Sequence, residues 1–204
     1  ENPLHSQDPL VTFQVPADVG SHLLVEVRRS VFETRAVAYA LHVGSFARPL
    51  AIYPAGGFPG EKLPAMLLGD GLGEKRGEIA VPSQPGDFSY FGDAPSALRL
   101  RSFSAANVLE HRHSPETRVP RLPAALNGIL ERPGDSDVFR VSVKRGERYR
   151  VRVLASGLGS PLDPAINIRL DGESASEVGG DDADLRQPDR GLRDIFDPTL
   201  IWEP

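Results

Sequence analysis

Cysteine is absent from the 204 residues, which removes disulfide frameworks and every Cys-based zinc or redox site. Lysine is nearly absent as well: 20 of the 23 basic residues are Arg, and they are dispersed along the chain. With a net charge of −5 and no basic cluster interleaved with aromatics, no nucleic-acid partner is expected. No apolar run approaches the roughly 20 residues that cross a bilayer, so no membrane span is expected. Stretches with a period of 3.6 are few, which leaves little room for helices.

Glycine and proline are in excess, at 20 and 19 residues, well above their average combined usage of roughly 12%. They lie between short apolar runs, the pattern of a turn-rich β protein. Residues 23–27 and 37–43 alternate and read as two strands, the first introduced by Pro16-Ala17-Asp18-Val19-Gly20. Residues 139–143 and 149–153 read as a hairpin turned by Lys144-Arg145-Gly146-Glu147, with Tyr149, Val151 and Val153 on its apolar face and Arg148, Arg150 and Arg152 in solvent. Ile166, Ile168 and Leu170 make a further strand closed by Asp171-Gly172. Between residues 46 and 106, short strands at 63–68, 78–81 and 97–103 are separated by turn signals about ten residues apart, which suggests a sandwich. The polar, Pro-rich stretch that follows places a linker at 107–121. The chain opens Glu1-Asn2-Pro3 and closes Ile201-Trp202-Glu203-Pro204, and both ends read as cuts through a longer polypeptide.

One short internal echo is present. Asp8-Pro9-Leu10-Val11-Thr12-Phe13-Gln14-Val15-Pro16 is similar to Asp197-Pro198-Thr199-Leu200-Ile201-Trp202-Glu203-Pro204, allowing one residue of slippage.

Three motifs occur in order: Asn127-Gly128, Gly134-Asp135-Ser136-Asp137-Val138-Phe139, and Leu158-Gly159-Ser160-Pro161-Leu162-Asp163-Pro164. On these, residues 122–204 resemble the first part of the bacterial pre-peptidase C-terminal domain, in the version found in large exported proteins of planctomycete-like bacteria. The resemblance implies a jelly-roll-like β-sandwich. It also implies that residues 1–45, with Pro16-Ala17-Asp18 at a turn, are the closing strands of such a module. Val19, where that family has its Asp-Gly turn, and His111-Arg112-His113, where an acidic Pro-Asn motif is common, depart from the pattern. Residues 46–106 resemble an IPT/TIG immunoglobulin-like domain through Tyr53-Pro54-Ala55-Gly56-Gly57 and Gly69-Asp70-Gly71-Leu72-Gly73. Half a sandwich leaves an apolar face and open edges. Either residues 1–44 supply the strands that 118–204 lacks, within one chain or between copies, or sequence flanking these residues in a longer polypeptide does.

The acidity of the chain is local. Nine acidic residues between Asp171 and Asp197 face three Arg, a net −6 that leaves +1 for the rest. Hard cations such as Ca2+ take six to eight oxygens in flexible geometry. Asp171, Glu173, Asp181, Asp182 and Asp184 are the candidate ligands, with Asp135 and Asp137 as further contributors. The same loop also reads as a solvated acidic turn paired with Arg186, Arg190 and Arg193, and its spacing is not that of an EF-hand. His111 and His113 alternate, but no third ligand stands near them in sequence. Gly157-Leu158-Gly159-Ser160 lacks the spacing of a nucleophile elbow. Gly56-Gly57-Phe58-Pro59-Gly60 is followed by neither the Lys-Ser/Thr nor the helix of a phosphate loop. Phe88, Tyr90 and Phe91 suit either a sugar platform or a core.

The expectation is an all-β, non-catalytic accessory region, secreted or at the cell surface by its family resemblance. It would space, stabilise or attach a larger exported bacterial protein, whose other domains, or cell-surface and matrix components, are its partners. A carbohydrate- or matrix-protein-binding module, and the accessory part of a secreted hydrolase, are the alternatives.

Overall fold

The computed structural model describes residues 11, 15–18, 20, 22–28, 38–172, 178–180 and 197–203. Among them the secondary structure is fourteen strands and a single 3-10 turn, so the chain is all-β. No helix of the described residues is long and apolar enough to cross a membrane.

The first half is a sandwich of two three-stranded sheets. One has the order β1 (Ala51–Tyr53), β3 (Lys62–Leu68), β4 (Lys75–Ala80), and the other β2 (Gly56–Gly57), β6 (Leu98–Ser102), β5 (Gly86–Tyr90). Alternation sets which residues face inward. In β6, Leu98, Leu100 and Ser102 are buried while Arg99 faces outward. In β3, Leu63 and Ala65 turn inward and Leu63 lies opposite Ile79 of β4. Ile52, Leu63, Ala65, Ile79, Val81, Leu98 and Leu100 make one core, against which Phe88 and Tyr90 pack.

Strand β2 hugs β6 in parallel, Gly56 opposite Arg101. A Cβ on Gly56 would lie 1.9 Å from the Arg101 carbonyl oxygen, so only glycine permits this approach. The Gly56-Gly57 pair is thus a strand, with no phosphate-loop geometry.

The second half consists of short pairs. β7 (Ala106–Leu109) runs parallel to β9 (Ala124–Asn127), and β8 (Thr117–Arg118) parallel to β10 (Phe139–Arg140). β11 (Tyr149–Arg152) is antiparallel to β14 (Thr199–Trp202), and β12 (Ile166–Ile168) to β13 (Val178–Gly180). The residues read as a linker, 107–121, thus carry most of β7 and all of β8. Tyr53-Pro54 and Leu122-Pro123 are cis.

Two expectations are corrected. The turn at Lys144–Glu147 forms, with Gly146 at positive φ, but the strands on either side of it do not pair with each other. Tyr149 and Val151 instead meet Trp202 and Leu200, an apolar match across the sheet. Tyr149 and Trp202 rings stand 6.4 Å apart, tilted by 41°. Residues 22–28 and 38–43 contain no strand, and their large apolar side chains are exposed. They have no ladder partner among the described residues, and alternation without a partner strand does not make a sheet.

Candidate functional site

The predicted cation loop is represented by one residue. Asp171 follows β12 and is ion-paired with the Arg140 guanidinium. Arg140 also donates to Glu116, with Nε at 2.8 Å from each carboxylate oxygen. These two carboxylates raise the Arg140 pKa, and Arg140 in turn holds Glu116 below the usual carboxylate range. Glu173, Asp181, Asp182 and Asp184 lie outside the described residues. Among the described residues no three His, Asp or Glu side chains are placed to hold a metal.

Other candidates have structural roles. Asp135 Oδ2 accepts the Glu131 N–H at 3.0 Å, which closes the 131–135 turn. The N–H of His111 donates to Thr117 Oγ1 at 2.7 Å, while the His111 and His113 side chains are exposed. Ser160 Oγ accepts the Leu162 N–H at 3.3 Å. Phe88 and Tyr90 serve the core, leaving Phe91 as the exposed aromatic.

The three motifs converge on packing, and two of them on the junction between the halves. Asn127 Oδ1 accepts the Ala55 N–H at 3.0 Å, and its Nδ2 donates to Asn107 Oδ1 at 3.2 Å. Asn107 Nδ2 donates to the Gly56 carbonyl at 2.8 Å. Two side chains of the β7–β9 pair thereby complete the hydrogen bonding of the turn into β2, where backbone groups would otherwise lack partners. An amide carries both donor and acceptor, which is why Asn suits both positions.

Gly128 follows Asn127, and a Cβ there would lie 1.9 Å from Asp137 Oδ2 and 3.2 Å from Glu110 Oε2. Its missing side chain makes room for two carboxyls. The Glu110 side chain is 8% exposed; its Oε1 stands 3.4 Å from Arg112 Nε but receives no hydrogen bond. Arg112 also reaches Glu131, with NH1 3.4 Å from Oε1. Burial, then the hydrogen bond and charge of Glu110, with Asp135 and Glu131 behind, push Asp137 up to about 6. Two carboxyls in contact resist joint ionisation, so the pair can store a proton. Burial and the nearby Glu110 also raise the Tyr53 phenol. The charged groups around the pair are Asp135, Glu131 and Arg112, of which Glu131 is ion-paired with Arg112.

The third motif begins at the end of the 3-10 turn η1 (Ser156–Leu158), which its Gly159 closes in the left-handed region. Asp197, wholly buried, accepts the N–H groups of Ala155 at 3.1 Å, Ser156 at 2.9 Å and Gly157 at 2.8 Å. One carboxyl group thus satisfies three donors of the turn at once. The turn in turn packs on β6 of the first sandwich.

Sequence reasoning missed Glu110, Asn107 and the role of Asp197. No protein-family model, curated protein or solved structure matches the chain.

Proposed function

We propose that the chain is a non-catalytic accessory segment, a pair of β modules that sets the distance and orientation between parts of a larger exported bacterial protein. The observation that carries this is the Asn107–Asn127 clamp, three side-chain hydrogen bonds that tie the β7–β9 pair to Ala55 and Gly56. The motifs of the pre-peptidase C-terminal resemblance supply fasteners: an amide clamp, a glycine that admits two carboxyls, and a capped turn. None of them supplies a nucleophile or a base aimed at a cleft. A segment whose distinctive residues are spent on holding its own parts fits a spacer better than an enzyme.

Because the chain has no cysteine, two introduced thiols give unique spin-label sites. Labels at Ser89→Cys and Arg150→Cys, one exposed position in each module, should give one narrow distance distribution by double electron–electron resonance. A broad distribution rejects the spacer reading. The calcium expectation attaches to the same segment, and a melting shift with Ca2+ that EDTA reverses and Asp181→Asn removes is its test.

One observation favours a binding module as the second reading. Leu41, His42, Val43 and Phe46 face Gly92, Asp93, Ala94 and Pro95 across an open groove of about 550 Å³. Phe91, 57% exposed, adjoins it in sequence. An exposed aromatic beside an open groove is suited to a sugar ring. Glycan-array binding that Phe91→Ala removes supports this reading, and an empty array rejects it.

A further inference from the structure

We propose that Asn127-Gly128 is a deamidation site that the module junction holds closed, so that opening the junction converts the clamp irreversibly. The proposal rests on the two-module reading above and adds a one-way release to it.

The chain has four Asn, and the residue after each sets how readily its side chain can cyclise. Asn2 precedes Pro3, which has no N–H to give up. Asn107 and Asn167 precede Val108 and Ile168, whose branched side chains crowd the approach. Asn127 precedes Gly128, which has no side chain to hinder it. There the Gly128 nitrogen can attack Asn127 Cγ. A new N–C bond closes a five-membered imide, the Cγ–Nδ2 bond breaks, and the Gly128 amide proton leaves with Nδ2 as ammonia. Water then opens the imide at Cγ to give Asp, or at the main-chain carbonyl to give isoaspartate. Neither member of this labile pair can be exchanged without loss. The amide is needed for the clamp, and the missing Cβ of Gly128 leaves space for Asp137 Oδ2, 1.9 Å from where that Cβ would lie.

The folded junction opposes each requirement of that attack. Ring closure needs the Asn127 main chain to leave its extended conformation. Pairing of β9 with β7 fixes it, and the Glu110 N–H donates to the Asn127 carbonyl at 2.9 Å. Ring closure also needs the carboxamide to turn towards Gly128. Both of its ends are engaged: Oδ1 accepts the Ala55 N–H at 3.0 Å, and Nδ2 donates to Asn107 Oδ1 and to the Ala125 carbonyl, each at 3.2 Å. Once converted, the clamp does not re-form. In Asp an oxygen replaces Nδ2 and faces two acceptors, Asn107 Oδ1 and the Ala125 carbonyl, with no proton to share. Turning the Asn107 amide over to offer its NH2 would forfeit the 2.8 Å bond to the Gly56 carbonyl. Isoaspartate adds a main-chain carbon, which displaces the chain beyond the Leu109–Asn127 pair. Asn127 thus keeps its amide only while the two modules stay together.

The test uses the full chain, aged near neutral pH both folded and in urea, with the peptide that holds residue 127 followed by mass spectrometry. Conversion to Asp and isoaspartate should proceed in urea and be at least about tenfold slower in the folded chain, where it waits on local opening. Asn107→Ala removes one partner of the amide and should speed conversion in a chain whose Trp202 fluorescence still reports a folded second module. Asn127→Asp, made directly, should lower the melting temperature. Equal rates in the folded chain and in urea overturn the proposal, as does the absence of conversion in urea. A folded Asn107→Ala chain that converts no faster than wild type also overturns it. So does an Asn127→Asp chain as stable as wild type, by showing that the clamp re-forms. Each of these failures can occur with the inter-label distance still narrow, so failure here is separable from failure of the spacer reading.

Discussion

The carboxylate of Asp197 accepts the backbone N–H of Ser156 at 2.9 Å across 41 residues of sequence, and it does so fully buried. The same carboxylate holds Ala155 and Gly157, and the carbonyl next door, Pro198 O, takes the Val153 N–H at 3.0 Å. One Asp-Pro dipeptide thereby fixes both the turn and the chain just beyond the Arg152–Thr199 end of the β11–β14 ladder.

Replacing Asp197 with Ala leaves three backbone donors in the interior without acceptors. The expected loss is about 3 kcal/mol, from the cost of unsatisfied buried groups and lost charge-assisted bonds. Asp197→Asn should cost less, since one oxygen still accepts while the NH2 confronts a donor. Urea denaturation of both variants checks the order. A tolerated Ala would refute the capping role.

Gly56→Ala should be the most damaging single methyl in the first sandwich. Its Cβ would meet the Arg101 carbonyl oxygen at 1.9 Å, and β2 would have to leave β6. A loss of about 3 kcal/mol or more is expected, the range for strain that packing cannot absorb. The midpoint of denaturant unfolding measures it.

Asp137 gives a pH signature. Its value in the folded chain, about 6, stands above its ordinary 3.8. The folded state therefore holds the proton more tightly, and the stability this adds is complete below 3.8 and lost as pH rises through about 6. The full shift converts to about 3 kcal/mol, but Asp137 is only half-buried, and solvent screening reduces this to about 1 kcal/mol. Glu116, held low by Arg140, acts in the opposite sense: its contribution is present above 4.5 and fades as pH falls below it. Stability should therefore rise from neutral pH towards about pH 5 and then decline. Asp137→Asn mimics the protonated acid, so it should be more stable than wild type at neutral pH and flat across the upper window. Thermal melts at several pH values compare the two. A variant less stable than wild type at neutral pH would show that the pair is not under charge strain.

The first sandwich was legible in the sequence and the junction was not, for definite reasons. Leu98, Leu100 and Ser102 alternate with two Arg, and Leu63 and Ala65 alternate with Lys62 and Pro64, so period and burial agree. β8 and β10 are two residues each, too short to carry any period. Their pairing is set by hydrogen bonds from Thr117 to Val138 and from Val119 to Arg140, which no local pattern announces. The strand pattern at 149–153 was correct, but its partner was decided by Trp202 and Leu200, far along the chain. Glu110 falls in the 107–121 stretch that reads as a linker. Only the fold shows that its side chain turns in towards Gly128. Asn127-Gly128 was visible as a motif, whereas its reason, an amide clamp followed by space for two carboxyls, needed the structure.

Under the proposed reading, Asn107 and Asn127 hold the two halves of the chain together as one unit. The chain has a single tryptophan, Trp202 in β14, so its fluorescence reports the second module alone. A dye on Ser89→Cys reports the first. Heat or urea should give coincident transitions at the two probes in the otherwise wild-type chain. With Asn127→Ala the first module should lose its clamp and the two transitions should separate. Two separate transitions with Asn127 in place would contradict the account.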